Sequence, residues 1–144
     1  MDGKYLLYIQ VIIIALQFYF ANIGAIFKNL FLAIPFTAAS IIAFYCAYSL
    51  GRASYSPFPK PSKTNKLVTD GLYKYARHPI YTSITIAALV LFLSNSSFQS
   101  FLILSVLIYV QDAKASLEEE LLTKIHPQYA NYKKSTKKFI PYVY

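Results

Sequence analysis

The sequence predicts an all-α integral membrane protein with about four transmembrane helices, the last two a helical hairpin, together with a cytosolic loop and a C-terminal helical tail. Three observations carry this prediction. Of the 144 residues, 56% are hydrophobic and 14% charged, against about 25% charged in a soluble globular domain. Three long windows, 5–27, 29–51 and 79–111, hold no charged residue at all. Lysine and arginine outnumber aspartate and glutamate by 14 to 6, and twelve of the 14 fall in two segments outside those windows.

The first two windows are 23 residues each, and at about 1.5 Å per residue each reaches about 35 Å, enough to cross a ~30 Å hydrocarbon core. The first reads as a retained span, because its apolar stretch exceeds the ~7–15 residues of a signal-peptide core. In the second, Pro35 lies near the start, where a missing amide hydrogen is tolerated, and Gly51 lies at the end, where a left-handed cap is available. The third window is too long for one span, and Ser94-Asn95-Ser96-Ser97 in its middle reads as a turn, giving spans at 79–94 and 97–112. Arms of about 15 residues reach only about 22 Å, so they extend past the window, sit in a thinned bilayer or stop short of crossing. The second arm can extend, since Leu117, Leu121 and Ile125 recur every fourth residue and Glu120 and Lys124 form an i,i+4 pair. His126, before Pro127, is the expected end of that helix.

Orientation follows from the cations. Arg52, Lys60, Lys63, Lys66, Lys74 and Arg77 lie in the loop 52–78, and Lys114, Lys124, Lys133, Lys134, Lys137 and Lys138 in the tail 113–144. Two spans separate the loop from the tail, so both can face one side, and the positive-inside rule makes it the cytoplasm, with the N-terminus on the same side. Residues 1–144 then form a single membrane domain. Orientation and attraction to membrane lipid headgroups account for the basic excess, so no nucleic-acid partner is expected.

Composition also narrows the chemistry. Cys46, the only cysteine, reads as a packing residue inside a span. With His78 and His126 as the only histidines, no metal site is expected. The four glycines are isolated, which excludes phosphate-cradling loops. Pro57, Pro59 and Pro61 mark an extended connector.

The stretch 67–81, LVTDGLYKYARHPIY, is the most specific part of the chain. Asp70-Gly71 signals a turn, and Pro79 suits the first position of a helix, which sets Arg77 and His78 at a helix N-terminus favourable to anions. Taken singly, Arg77 reads as an anchor to lipid phosphate, His78 as a helix cap, and Tyr73, Tyr75 and Tyr81 as an interfacial aromatic belt.

Taken together the residues resemble the signature of the integral-membrane methyltransferases that include isoprenylcysteine carboxyl methyltransferase and the phospholipid N-methyltransferases. The resemblance rests on Arg77-His78-Pro79-Ile80-Tyr81, the apolar arms after it and the pair Glu118-Glu119. Leu67-Val68-Thr69, Gly71, Tyr73, Tyr129, Tyr132 and Phe139-Ile140-Pro141 match as well. It implies an S-adenosylmethionine cofactor held by Lys66, Leu67 and Val68, by Tyr73, by His78, Pro79, Ile80 and Tyr81, and by a carboxylate of the last helix. Aromatic faces suit a sulfonium, and a helix N-terminus suits the donor's carboxylate. The family often places an arginine four residues before the functional glutamate, where it contacts the substrate carboxylate. Lys114 stands there relative to Glu118 and shares its helix face, which selects Glu118 over Glu119.

Lys114 and Glu118 are thus the expected catalytic pair, and Glu119 and Glu120 read as solvated surface. Ser83 occupies a position where the family often has glycine, and counting back from Tyr129 puts the first carboxylate of the pair on Leu117. The implied acceptor is lipid-linked, first a prenylated-cysteine carboxylate and second a phospholipid amine. An NADPH-dependent sterol-type reductase, which shares a similar segment, and a non-enzymatic lipid-binding protein are the competing readings.

Overall fold

The computed structural model describes residues 3–54 and 67–144. The helices are α1 (Gly3–Phe20), α2 (Ile23–Lys28), α3 (Leu30–Ser54), α4 (Pro79–Ser94), α5 (Phe98–Ile125) and α6 (Tyr129–Ser135), with a 3₁₀ turn at Gly71–Lys74. Among the described residues, three segments are long and apolar enough to cross a membrane: Gly3–Phe20, Leu30–Gly51 and Phe98–Ile125. α4, with 16 residues, rises only about 24 Å. Lys66 and the proline-rich connector fall outside the described residues.

The first charge-free window is not one helix. It breaks after Phe20, because Asn22 starts a new turn: its side-chain oxygen accepts from the Ala25 amide at 3.0 Å, and its own amide donates to Ser94 Oγ at 3.0 Å. The side-chain amide of Asn95 then takes the Phe20 carbonyl at 2.7 Å. Counting charges misses this break, since asparagine is neutral and yet caps helices.

Pro35 also differs from expectation. It sits inside α3 rather than in its first turn, so the Phe31 carbonyl lacks its i+4 donor. The hydroxyls of Thr37, Ser40 and Ser49 donate to the carbonyls of Ala33, Phe36 and Tyr45 at 2.8–2.9 Å, which satisfies them inside the helix, as a hydrocarbon surround requires. Gly51 has φ +64° and ψ 172°, a conformation open to glycine, and helical geometry is interrupted there.

α3 packs mainly on α4, and α1 on α5. The buried residues of α1 are Gly3, Leu6, Gln10, Ile13 and Gln17, a stripe with alternating steps of three and four that packs on α5 and α4. Leu6 and Ile13 join Ala88, Leu104, Leu107 and Val110 in the main apolar cluster. The outward residues are equally apolar: Phe31, Phe44 and Tyr48 are 90%, 78% and 87% exposed, which water would penalise and lipid does not. Cys46 is fully buried.

α5, at 28 residues, runs about 42 Å, so one end must project past a ~30 Å core. The tail after it folds back on the start of α4. The Arg77 amide donates to the Lys137 carbonyl at 2.8 Å, the His78 amide to the Lys138 carbonyl at 3.0 Å, and Thr82 Oγ1 to the Phe139 carbonyl at 2.9 Å. The Asn22–Asn95 turns thus lie at one end of the bundle and the Arg77–His78 segment, with the basic tail, at the other.

Candidate active site

Gly71 opens the 3₁₀ turn with φ +61°, and a Cβ there would lie 3.3 Å from the Tyr45 hydroxyl. The turn buries Tyr73, whose hydroxyl donates to the Cys46 carbonyl at 3.3 Å and whose carbonyl accepts from the Tyr132 hydroxyl at 2.5 Å. Leu67 and Val68, just before it, are half-buried. Pro79 is the first residue of α4 and Ile80 the second. His78 holds the N-cap position without a side-chain cap bond, contrary to the capping role read from sequence. Its ring is turned inward instead and stacks on Tyr81, with centroids 5.4 Å apart and planes 10° apart.

Glu119 is not solvated surface; its side chain is 5% exposed. Arg77 Nε donates to its Oε1 at 2.7 Å, His78 Nε2 lies 3.3 Å from the same oxygen, and Lys133 Nζ lies 2.8 Å from Oε2. The other face of the guanidinium is used too, since Arg77 Nη1 donates to the carbonyls of Lys133 at 3.2 Å and Thr136 at 2.5 Å. A buried carboxylate needs such partners. Arg77 is therefore committed to the protein's own glutamate and tail, not to lipid phosphate. Glu120 alone of the three adjacent glutamates is open surface, paired with Lys124 at 2.5 Å.

Glu118 points elsewhere. Its Oε1 accepts from the Tyr81 hydroxyl at 2.5 Å, and its Oε2 lies 3.7 Å from His78 Nδ1. It makes no ion pair with Lys114. Lys114 is buried, donates to Gln10 Oε1 at 3.0 Å and sits 5.2 Å over the Tyr81 ring, a cation–π arrangement. Tyr73 and Tyr81 are buried as well, so of the tyrosines assigned to an interfacial belt only Tyr75 is exposed. Ser83 is buried and donates back to the Pro79 carbonyl at 2.9 Å.

Two phenols line the far side. Burial raises the Tyr129 phenol well above its ordinary range, with the charge of Glu119 adding to the effect and Arg77 opposing it. Burial likewise pushes Tyr132 up to about 12, Arg77 opposing and Glu119 adding. Both are neutral hydroxyls at working pH, and that of Tyr129 is buried without a hydrogen-bond partner. Beside Glu119 an open cleft of about 390 Å³ is rimmed by Arg77, Lys133, Lys137 and Lys138. Lys138 also pairs with Asp112 and donates to Ser116 Oγ at 2.8 Å.

A family model described as phospholipid methyltransferase matches residues 29–129, well over half of the chain. The chain belongs to this family, which joins the isoprenylcysteine and phospholipid methyltransferases. Comparison with curated proteins found no match. Membership makes the protein a methyltransferase. Within the matched region of this methyltransferase lie Tyr73, Arg77, His78, Tyr81, Lys114, Glu118 and Glu119.

Gln10, Lys133, Thr136 and Phe139 lie outside the matched region, yet they touch the same cluster, Phe139 through the His78 ring at 5.9 Å. Sequence reasoning missed Gln10 because it is uncharged. The signal available was its place in the 3-6-10-13-17 stripe of α1. Glu119 was misassigned although Ser100, Leu104, Leu107, Gln111 and Ala115 mark a buried stripe of α5 that arrives at the glutamate pair.

Proposed function

We propose that this methyltransferase uses S-adenosylmethionine and transfers the methyl group to a carboxylate of a lipid-linked acceptor of the isoprenylcysteine type. The observation that carries this reading is the division between two adjacent glutamates. Glu119 is consumed by Arg77, His78 and Lys133, whereas Glu118 accepts from Tyr81 and lies 3.7 Å from His78 Nδ1, with no lysine or arginine paired to it among the described residues. A donor that carries an ammonium and a sulfonium fits this arrangement. Glu118 would take the ammonium, the ring of Tyr73 would face positive charge, Tyr81 would hold Glu118 in place through its hydroxyl, and the unpartnered Tyr129 hydroxyl would complete its bonding on a polar oxygen. His78, Pro79 and Ile80 would supply the helix N-terminus, and Leu67 and Val68 the flanking backbone.

When bound, the cofactor would supply an electrophilic methyl group, which an acceptor oxygen would take with formation of the O–C bond and cleavage of the S–C bond to a neutral thioether. A carboxylate acceptor is already ionised, so the protein moves no proton. Its residues position and exclude water, which suffices for such a displacement. Lys114 would orient the acceptor carboxylate as a single compact charge. The positive-inside rule puts this end of the bundle, with the N-terminus and basic tail, in the cytosol. The cofactor then arrives from water and the acceptor sideways from the bilayer.

Calorimetry with S-adenosylhomocysteine on detergent-purified protein tests the donor reading. Binding by the wild type, lost in Glu118→Gln and weakened in His78→Ala, is expected. An unchanged affinity in both variants refutes it. A second acceptor, a phospholipid amine, is favoured by the description of the matched family, with Glu118 as the base that removes the amine proton. Parallel transfer assays with a farnesylcysteine analogue and phosphatidylethanolamine vesicles decide between the two. Label found only on the amine overturns the carboxylate assignment.

A further inference from the structure

The Lys114–Glu118 spacing invites an ion pair that does not form. On a helix, residues four apart are neighbours, and a lysine beside a glutamate in a partly dry site normally closes on it. Here the ammonium swings to α1 instead, where Gln10 Oε1 accepts at 3.0 Å, with both residues under 5% exposed. Gln10 is a neutral acceptor, so it holds the lysine without cancelling its charge. It is also the one hydrogen-bond acceptor described for that ammonium, which leaves further N–H donors directed elsewhere. Glu118 is correspondingly left to Tyr81 and His78.

We infer that Gln10, on a helix outside the region matched to the family, is a positioning residue that keeps Lys114 and Glu118 apart, so that one charge stays free for an anionic acceptor and the other for a cationic donor. The inference rests on the function proposed above and goes further, because it makes α1 part of the active site. If Gln10 is removed, the carboxylate that acts on Lys114 is Glu118, one helical turn away. Closure of that pair would neutralise both subsites together.

Three variants separate this role from simple packing. Gln10→Leu lets Lys114 close on Glu118, and the Kd for S-adenosylhomocysteine should rise about tenfold, equivalent to 1.4 kcal/mol. Adding Lys114→Met to Gln10→Leu removes the competing cation, and the lost affinity should return to within about twofold of wild type. Gln10→Glu keeps the shape and still holds the lysine but cancels its charge. It should bind S-adenosylhomocysteine like wild type while raising the KM for a farnesylcysteine analogue about tenfold. Gln10→Glu also keeps the test decisive if Gln10→Leu fails to fold. Wild-type affinity in Gln10→Leu, no recovery in the double variant, or an unchanged acceptor KM in Gln10→Glu overturns the inference while the proposed function stands. A wild-type protein that binds no S-adenosylhomocysteine overturns both.

Discussion

Replacing Glu119 with glutamine keeps the size and shape of the side chain, removes its charge and turns one acceptor oxygen into a donor, so no cavity confuses the result. Arg77 and Glu119 have side chains 8% and 5% exposed. Removing one partner of a buried pair costs about 3–5 kcal/mol, because the remaining charge is left uncompensated. Arg77 retains its bonds to the Lys133 and Thr136 carbonyls, which favours the lower end, about 3 kcal/mol. Lys133 is 52% exposed, so Lys133→Ala should lose under about 1 kcal/mol. For a chain of this length, about 4 °C of melting temperature corresponds to each kcal/mol, which gives a drop of about 12 °C for Glu119→Gln and at most about 4 °C for Lys133→Ala. The single cysteine, Cys46, is fully buried and supplies the assay: a thiol-reactive fluorophore reports its exposure as the detergent-solubilised protein is heated. Equal shifts for the two variants, or a larger loss in Glu118→Gln than in Glu119→Gln, would refute the assignment of Glu119 as the structural glutamate.

Three further outcomes are expected. Gly71→Ala forces a side chain into φ +61° against the Tyr45 hydroxyl and should lower stability by about 1–2 kcal/mol, read in the same thermal assay; an unchanged melting temperature would contradict the turn geometry. Tyr132→Phe removes the hydroxyl bonded to the Tyr73 carbonyl and should cost about 1 kcal/mol. Because folding raises the Tyr132 phenol from an ordinary 10.0 to about 12, the stability it contributes is fully present below pH 10 and is lost as pH rises through about 12. Thermal unfolding across pH 8 to 12 should show that decline in wild type and a shallower one in Tyr132→Phe.

Much of this protein is legible along the chain. Charge-free windows and the Ser94–Ser97 turn are local properties of composition and period, and they indicate a helical membrane protein without reference to any distant contact, while the methyltransferase family came from the resemblance that the Arg-His-Pro segment and the glutamate pair carry. The break at Asn22 escaped because asparagine is neutral and yet caps a helix, and the place of Pro35 inside α3 escaped because a charge-free window does not locate a helix's first turn. The inward turn of the His78 ring depended on the tail, whose Lys138 carbonyl holds the His78 amide 60 residues earlier in sequence.

The sequence by itself determined the solvent, the helices and the set of chemically capable side chains, because apolar length and residue type are properties of short segments. Only the tertiary structure decided what each of those side chains does. Glu118 and Glu119 are neighbours in sequence but about 100° apart around a helix, so their environments differ completely. Packing gave Glu119 to Arg77, His78 and Lys133, and left Glu118 with Tyr81. In the same way, Lys114 could have closed on Glu118, and the arrival of Gln10 from a helix 104 residues away in sequence kept the two charges separate.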